Sequence, residues 1–550
     1  MGDDKPAGGY DSTPLPKSTK PTYTVKITFH SATNLPIADF GDGSADPFIL
    51  AQIKTSHKGR HPHDPYLRFR TKTIQKNVEP IWESNWIIDG IPSDGFDLSC
   101  RIYDEDPSDH DDRLGKVEIQ TGNIDDKNWK GIIKQEYKVK KTGADLRAYS
   151  ARWACHLIGR KKLHAKLTLS IEVIGKTNND LGKAYTVNNF WWIHYSPLIG
   201  RLAGVKGKDD KGVEKYNFQA NEIQLTGPVP DELYHRYVEF KTFVGGMFES
   251  TGLRGKVLNK ALHHQHERIY NFDRQTKHGE FEFSPDGPPK DLALKFLEMC
   301  HFDQGGRIFT YVITLDGLMR FTETGKEFGI DLLSKHTMHS DVNIYIAWSG
   351  EFLIRRLAHP NQSPEDPDQS THPAEEIPGG PPNDDPPRDA ASYELIIDND
   401  SGTYRPDKKL IPIFTKFLEK NFIGMKVRVM ACDDEKLSKI KDSQRKTKQK
   451  EGERVVYGQQ SSSDLSLNSQ GGAGGSISSS DEEDLEARAR AADENDDAEP
   501  QGVKGNLEKG FNAVENPKGT MNGLVDKAKG KTKEPSGKEE REKAENNDRV

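Results

Sequence analysis

Cysteine is scarce in this sequence. The four thiols among 550 residues, Cys100, Cys155, Cys300 and Cys432, lie far apart. No Cys-x-x-Cys pair exists, which excludes the usual zinc and dithiol redox motifs. So few cysteines suit a reducing cytosol. Long apolar runs are also missing. The most apolar stretch, Phe190 to Val205, is too short to span a bilayer and carries His194, Pro197 and Arg201. The first twenty residues contain no signal-peptide core, and Pro6 stands where N-myristoylation wants Ser or Thr. A cytoplasmic chain is expected, peripheral to membranes at most. Positive charge is not in excess: the net charge is −8 and the pI about 6.2, so the basic footprint of a nucleic-acid binder is absent.

Catalytic signatures are missing too. No Gly-x-Ser-x-Gly elbow occurs. "ALHHQHERIYNF" offers His263, His264, His266 and Glu267, but Tyr270 replaces the second histidine of a zinc-protease helix. "SKHTMHSD" adds His336, His339 and Asp341, which read as surface residues. Gly175-Lys176-Thr177 resembles the end of a P-loop, but Ser170 stands where its first glycine belongs.

What is present is multidomain. Hydrophobic residues make up 33% and charged residues 30%, a balance that predicts disorder over part of the chain. Residues 1–19 are expected to be disordered. From residue 20 to 176 short alternating segments such as "YTVKITFHSATNL", "PFILAQIK", "WESNWIID" and "AKLTLSIEVIG" are separated by Gly, Pro, Asp and Asn turns. That spacing predicts an all-β sandwich of about eight strands. Residues 180–358 mix helical and strand periodicity, an α+β pattern. "RIFTYVITLDGLMRFTET" reads as a hairpin turning at Asp316-Gly317, and "NIYIAWSGEFLIRRL" as one turning at Ser349-Gly350. Residues 359–390 are a Pro-rich acidic linker or insertion. Residues 391–450 continue the α+β domain, with the helix "KKLIPIFTKFLEKNF", the strand "MKVRVMA" and a basic helix. Residues 451–550 form an acidic, mixed-charge tail expected to have no fold.

Two loops of the predicted sandwich are acidic. "YDEDPSDHDDRLG", Tyr103 to Gly115, holds Asp104, Asp106, Asp109, Asp111, Asp112 and Glu105. "NLPIADFGDGSADPF" holds Asp39, Asp42 and Asp46. Each follows a strand, and carboxylates converging from two loops repel one another unless a cation joins them. Calcium accepts six to eight oxygen ligands with flexible geometry.

On these words, with "RTKTIQKNVEPIWESNW", residues 20–176 resemble a C2 domain of the calcium-dependent, phospholipid-binding kind, in the type II strand arrangement. The chain as a whole is similar to uncharacterised fungal C2-domain proteins, which implies no activity. The C2 resemblance implies calcium ligation by Asp39, Asp46, Asp104, Asp106 and Asp112, with Asp109 as a further ligand position. The first loop has one residue more between its acids than the family, so Asp42 is an alternative to Asp39. The resemblance also implies calcium-dependent binding to anionic phospholipids, phosphatidylserine and phosphoinositides among them. Phe40 at a loop tip suits headgroup contact. Arg68, Arg70 and Lys72 alternate along "RFRTKTIQK", where phosphoinositide-binding relatives carry a lysine cluster, although an exposed polar strand face reads the same way.

The role of residues 180–450 stays open between an effector carried to the membrane, a lipid-metabolising enzyme and a non-catalytic trafficking or scaffold adaptor. The lack of a nucleophile motif favours binding over catalysis. Protein partners would engage residues 180–450 or the tail. Trp191, Trp192 and Tyr195 read as a buried aromatic start to the second domain or as an interfacial membrane segment. Asp398 and Asp400 read as an active-site edge or a turn. Lys436 to Arg454, with eight basic residues against three acidic ones, reads as a membrane-surface helix or a solvated one. Ser478, Ser479 and Ser480 before "DEED" suit an acidophilic kinase.

Overall fold

The computed structural model describes residues 15–39, 43–59, 66–105, 111–125, 127, 129–140, 164–177, 181–195, 206–208, 214–216, 219–234, 270, 272, 275–302, 307–324, 346–357, 387–399 and 406–450. In chain order the strands begin β1 (Thr22–Thr33), β2 (Pro47–Thr55), β3 (Leu67–Arg70), β4 (Ile81–Pro92), β5 (Phe96–Asp104), β6 (Asp112–Gln120), β7 (Ile132–Lys138) and β8 (Lys166–Lys176). Next come β9 (Tyr185–Thr186), β10 (Phe190–Tyr195), β11 (Lys206–Lys208), β12 (Glu214–Tyr216), β13 (Gln219–Gln224) and β14 (Lys277–Glu280). After helix α1 (Asp291–Met299) follow β15 (Ile308–Thr314), β16 (Leu318–Thr324), β17 (Ile346–Arg356) and β18 (Tyr393–Ile397). Helix α2 (Ile411–Asn421), β19 (Lys426–Val429) and helix α3 (Glu435–Lys450) complete the order.

The first eight strands form the expected sandwich. One sheet runs β7-β8-β1-β4-β9, the other β3-β2-β5-β6. Alternation decides which side chains meet inside: Val25, Ile27 and Phe29 of β1 face Ile49, Ala51 and Ile53 of β2 across the core. The sandwich does not end at residue 176. β9 pairs with β4, placing Ile88 opposite Thr186. Trp86 donates its indole N–H to Thr186 Oγ1 at 2.9 Å. Asn188 caps the same strand, accepting from Ile87 N and donating to Asn85 O. Phe69 stacks on Trp86 and meets the edge of Phe190 at 5.3 Å, so β10 closes the open flank of the sandwich. Phe190, Trp192 and Phe272 belong to the same core as β1–β8. Of the aromatic run that begins the second region, Phe190 and Trp192 are therefore buried, while Trp191 and Tyr195 are half-buried.

The second region is built on one sheet, β14-β10-β13-β16-β15-β17-β18-β19, with β11 and β12 forming a separate hairpin. All its pairs are antiparallel except β18 with β19. Parallel neighbours need a crossover, and α2 supplies it. α1 and α2 pack on one face around Phe296, Phe309, Phe321, Trp348, Phe352 and Phe414. α3 lies against the other face through Leu437 and Ile440, over Leu353 and Ile396. Asp316-Gly317 turns a hairpin between β15 and β16 as expected. Among the described residues no helix is long and apolar enough to cross a membrane.

The hairpin expected at Ser349-Gly350 is absent. β17 runs straight through both residues, pairing Ser349 with Val312 and Gly350 with Tyr311. Glycine answers a different need there. A Cβ on residue 350 would lie 2.4 Å from the Asp398 carbonyl oxygen and 2.5 Å from its Oδ1. Gly350→Ala is expected to destabilise the fold by about 1–3 kcal/mol, toward the upper end because the obstacle includes backbone. Thermal unfolding of the full chain checks this.

Candidate calcium site and its neighbours

Strand register brings Asp46, Asp104 and Asp112, from two loops, to one end of the sandwich. Asp104 is the last residue of β5 and pairs with Asp112, the first residue of β6. Asp104 also pairs with Pro47, next to Asp46. Asp46 N donates to Asp104 Oδ1 at 2.5 Å, and Glu105 N donates to Asp46 O at 2.9 Å. Asp46 Oδ1 accepts from Lys76 N at 2.6 Å. Asp39 lies in the same connection as Asp46 and bridges to Ser44. Asp42, Asp106, Asp109 and Phe40 lie outside the described residues. Among the described residues no three ligating side chains converge on a single point. The side chains that the two loops contribute at this end, Asp46, Asp104 and Asp112, are carboxylates, a donor type that suits a hard cation such as calcium.

Glu105 behaves differently from its acidic neighbours. Its side chain is only 4% exposed and accepts from Arg70, from Thr73 Oγ1 at 3.2 Å and from the backbone N–H of Phe272 at 2.8 Å. Burial pushes the carboxyl pKa up; Arg70 pulls it down and Asp111 raises it further. No local pattern in the sequence marks this role, because its partners lie on β3 and far along the chain.

The three basic residues of "RFRTKTIQK" separate. Arg68 is exposed. Arg70 binds Glu105 and lies between two rings, its guanidinium carbon 3.9 Å from the centroid of Phe48 and 4.2 Å from that of Phe272. β3 ends at Arg70, so Lys72 lies beyond the strand. It is close enough to β14 to help lower the His278 pKa, whose first cause is burial. Other cations share the outer face of this sheet. A cavity of about 600 Å³ is lined by Lys54, Tyr66, Arg101, Lys116 and Lys140, with Asp97 and Glu118 among its acids. Period two marks three of these cations: Lys54, Arg101 and Lys116 each lie beside core residues on their strands.

Residues 23–135 match the sequence profile of the C2 domain family. They form a C2 domain. Over 120 residues the chain is 24% identical to a calcium-dependent lipid-binding protein of Arabidopsis thaliana, covering 22% of this chain and 21% of that one. Over 84 residues it is 32% identical to human extended synaptotagmin-3, covering 15% of this chain and 8% of the relative. Under a quarter of either relative is thus matched. A solved C2 domain of plant extended synaptotagmin 1 is 17% identical and aligns with 29% of this chain and 99% of its own, with a TM-score of 0.21. Human GIVD cytosolic phospholipase A2 is 18% identical, over 32% of this chain and 22% of that one, with a TM-score of 0.20. Scores this low carry no argument about activity.

Beyond the C2 domain, two buried charge clusters stand out. In the first, Glu222 accepts from Arg320 Nε at 2.6 Å and lies 3.1 Å from His194 Nε2, with Tyr270 beside both partners. In the second, Lys441 of α3 bonds Glu351 at 2.6 Å and Asp398. Asp398 is therefore held in an ion-pair network, while Asp400, His336 and His339 lie outside the described residues, as do His263, His264 and His266.

Proposed function

We propose that the C2 domain binds calcium and docks the chain on anionic phospholipid, carrying the eight-stranded sheet region with it as the effector. The observation that carries this reading is the joining of the two loops: Asp46 N on Asp104 Oδ1, with Asp112 opposite Asp104. Asp46, Asp104 and Asp112 would hold the ion, with Asp39, Asp106 and Asp109 contributed by the same two loops. Calcium bound there supplies positive charge and open coordination positions for phosphate or carboxylate oxygens. Arg68 and the cations of the outer cavity, Lys54, Arg101, Lys116 and Lys140, add a second contact for headgroups such as phosphoinositides. The relatives' names support the lipid part of the reading.

The test is co-sedimentation of the full chain with phosphatidylserine vesicles across a calcium titration. The full chain is needed because Phe190, Trp192 and Phe272 complete the C2 core. The wild-type chain is expected to sediment only with calcium. Asp104→Asn with Asp106→Asn is expected to raise the calcium requirement by about two orders of magnitude, since ligand charge tunes such sites over a wide range. Unchanged binding in that double variant would assign the grip to the basic residues alone.

A further inference from the structure

Asp104 and Glu105 are consecutive, but their side chains serve opposite sides. Asp104 bonds across to Asp46 at the loop end. Glu105 turns toward the second region and takes up Arg70, Thr73 and the Phe272 amide. Neighbours on extended backbone point to opposite faces, so a residue held on one face restrains the backbone from which its neighbour projects on the other.

Phe272 does not belong to the sandwich strands, yet it is buried in their core. Its ring lies under Arg70 and meets Trp192 at 6.2 Å and His194 at 5.0 Å, both on β10. His194 in turn contacts Glu222 on β13, which holds Arg320 of β16. An unbroken chain of contacts therefore runs from the acidic loop end to the centre of the eight-stranded sheet. Its first link, Glu105, lies between two of the residues assigned to calcium.

We propose that Glu105 is a positioning residue that couples calcium at the C2 loops to the docking of the eight-stranded sheet through Phe272. The inference rests on the calcium reading given above. With Phe272 seated, Glu105 is fixed, and Asp104 is held in the orientation that meets Asp46. By reciprocity, calcium at the loops tightens the Phe272 contact. The C2 domain is then not a passive tether: calcium changes the state of the sheet region as well as the place it occupies.

The experiment is calcium titration calorimetry on the full chain without vesicles, for wild type, Phe272→Ala, Glu105→Gln and the double variant. Amide exchange at Phe272 is followed with and without calcium. Phe272→Ala touches no proposed ligand, yet its calcium dissociation constant is expected to rise about tenfold, within the 5- to 150-fold typical of coupled sites. Glu105→Gln is expected to do the same. The double variant should be no weaker than the weaker single one, because both act through one link. In the wild type, calcium is expected to slow exchange of the Phe272 amide, a response that a purely packing role does not produce.

Calcium affinity within twofold of wild type in both single variants, with only the melting temperature lowered, would reduce Glu105 to a packing residue and overturn the link. If Phe272→Ala does not fold, Phe272→Leu keeps the amide and the apolar bulk while removing the ring beneath Arg70. Exchange at the wild-type amide that ignores calcium is itself decisive against the proposal. A wild-type chain that binds no calcium at all removes the calcium reading and this link with it, an outcome distinct from calcium binding without coupling.

Discussion

Replacing Lys441 with alanine is expected to destabilise the fold by about 3–5 kcal/mol, the scale for removing one partner from a buried ion pair. The ammonium lies 2.6 Å from Glu351 Oε2 and also bonds Asp398 Oδ2. Both acids are deeply buried, and Asp398 Oδ1 already accepts from Glu351 N at 2.8 Å. Without the lysine, two carboxylates face each other away from water. They would then hold protons to higher pH than in the unfolded chain. The sign follows: the variant recovers stability as pH falls and loses most as pH rises through the raised folded values. Urea unfolding at pH 5 and pH 8 should show the larger deficit at pH 8. Lys441→Met keeps the stem's packing but not the charge, and is expected to lose nearly as much as alanine. A methionine variant as stable as wild type would show that the charge contributes nothing. Lys439, exposed on the same helix, should tolerate alanine within about 0.5 kcal/mol.

Lys441 also marks where sequence reading reaches its limit. The basic helix is legible from composition, but that one face of it, Leu437, Ile440, Lys441 and Gln444, turns inward on the sheet is seen only in the structure. Which anions meet that face is not legible either, because Glu351 and Asp398 are distant in sequence and only sheet pairing makes them neighbours. The same division holds elsewhere. The Asp316-Gly317 turn is local chemistry and reads correctly. Ser349-Gly350 looks alike on paper, but its glycine answers the close approach of Asp398 from the next strand, a tertiary demand. The β-sandwich reads clearly from strand alternation, and its C2 character from the resemblance carried by the two acidic loops and "RTKTIQKNVEPIWESNW". Its sharing of a core with Phe190, Trp192 and Phe272 does not, since an aromatic run gives no sign of which core it will enter. For the same reason Arg70 reads as one of three equivalent cations, whereas Glu105 and two aromatic rings distinguish it.

Glu222→Gln is expected to cost about 3 kcal/mol at pH 7 and almost nothing near pH 2. Burial alone would push this carboxyl up; Arg320 and His194 outweigh it and hold the pKa at about 2. An unfolded glutamate titrates at ~4.3. Because the folded value is depressed, the stabilisation is complete above the unfolded pKa and is lost as pH falls from there through about 2. A shift of that size, at ~1.4 kcal/mol per unit, sets the scale. The glutamine variant cannot titrate, so its acid limb should be flatter than that of wild type between pH 4.5 and pH 2.5. Urea midpoints measured across that window decide the matter: parallel limbs would assign the acid sensitivity to other carboxylates. Glu222 also touches His194, whose ring packs on Phe272. Acid that protonates Glu222 is therefore expected to weaken its pairing with Arg320 and His194 beneath the contact that Glu105 makes. If the coupling through Phe272 holds, the glutamine variant should weaken calcium binding at neutral pH, although Glu222 lies on a strand of the other sheet region.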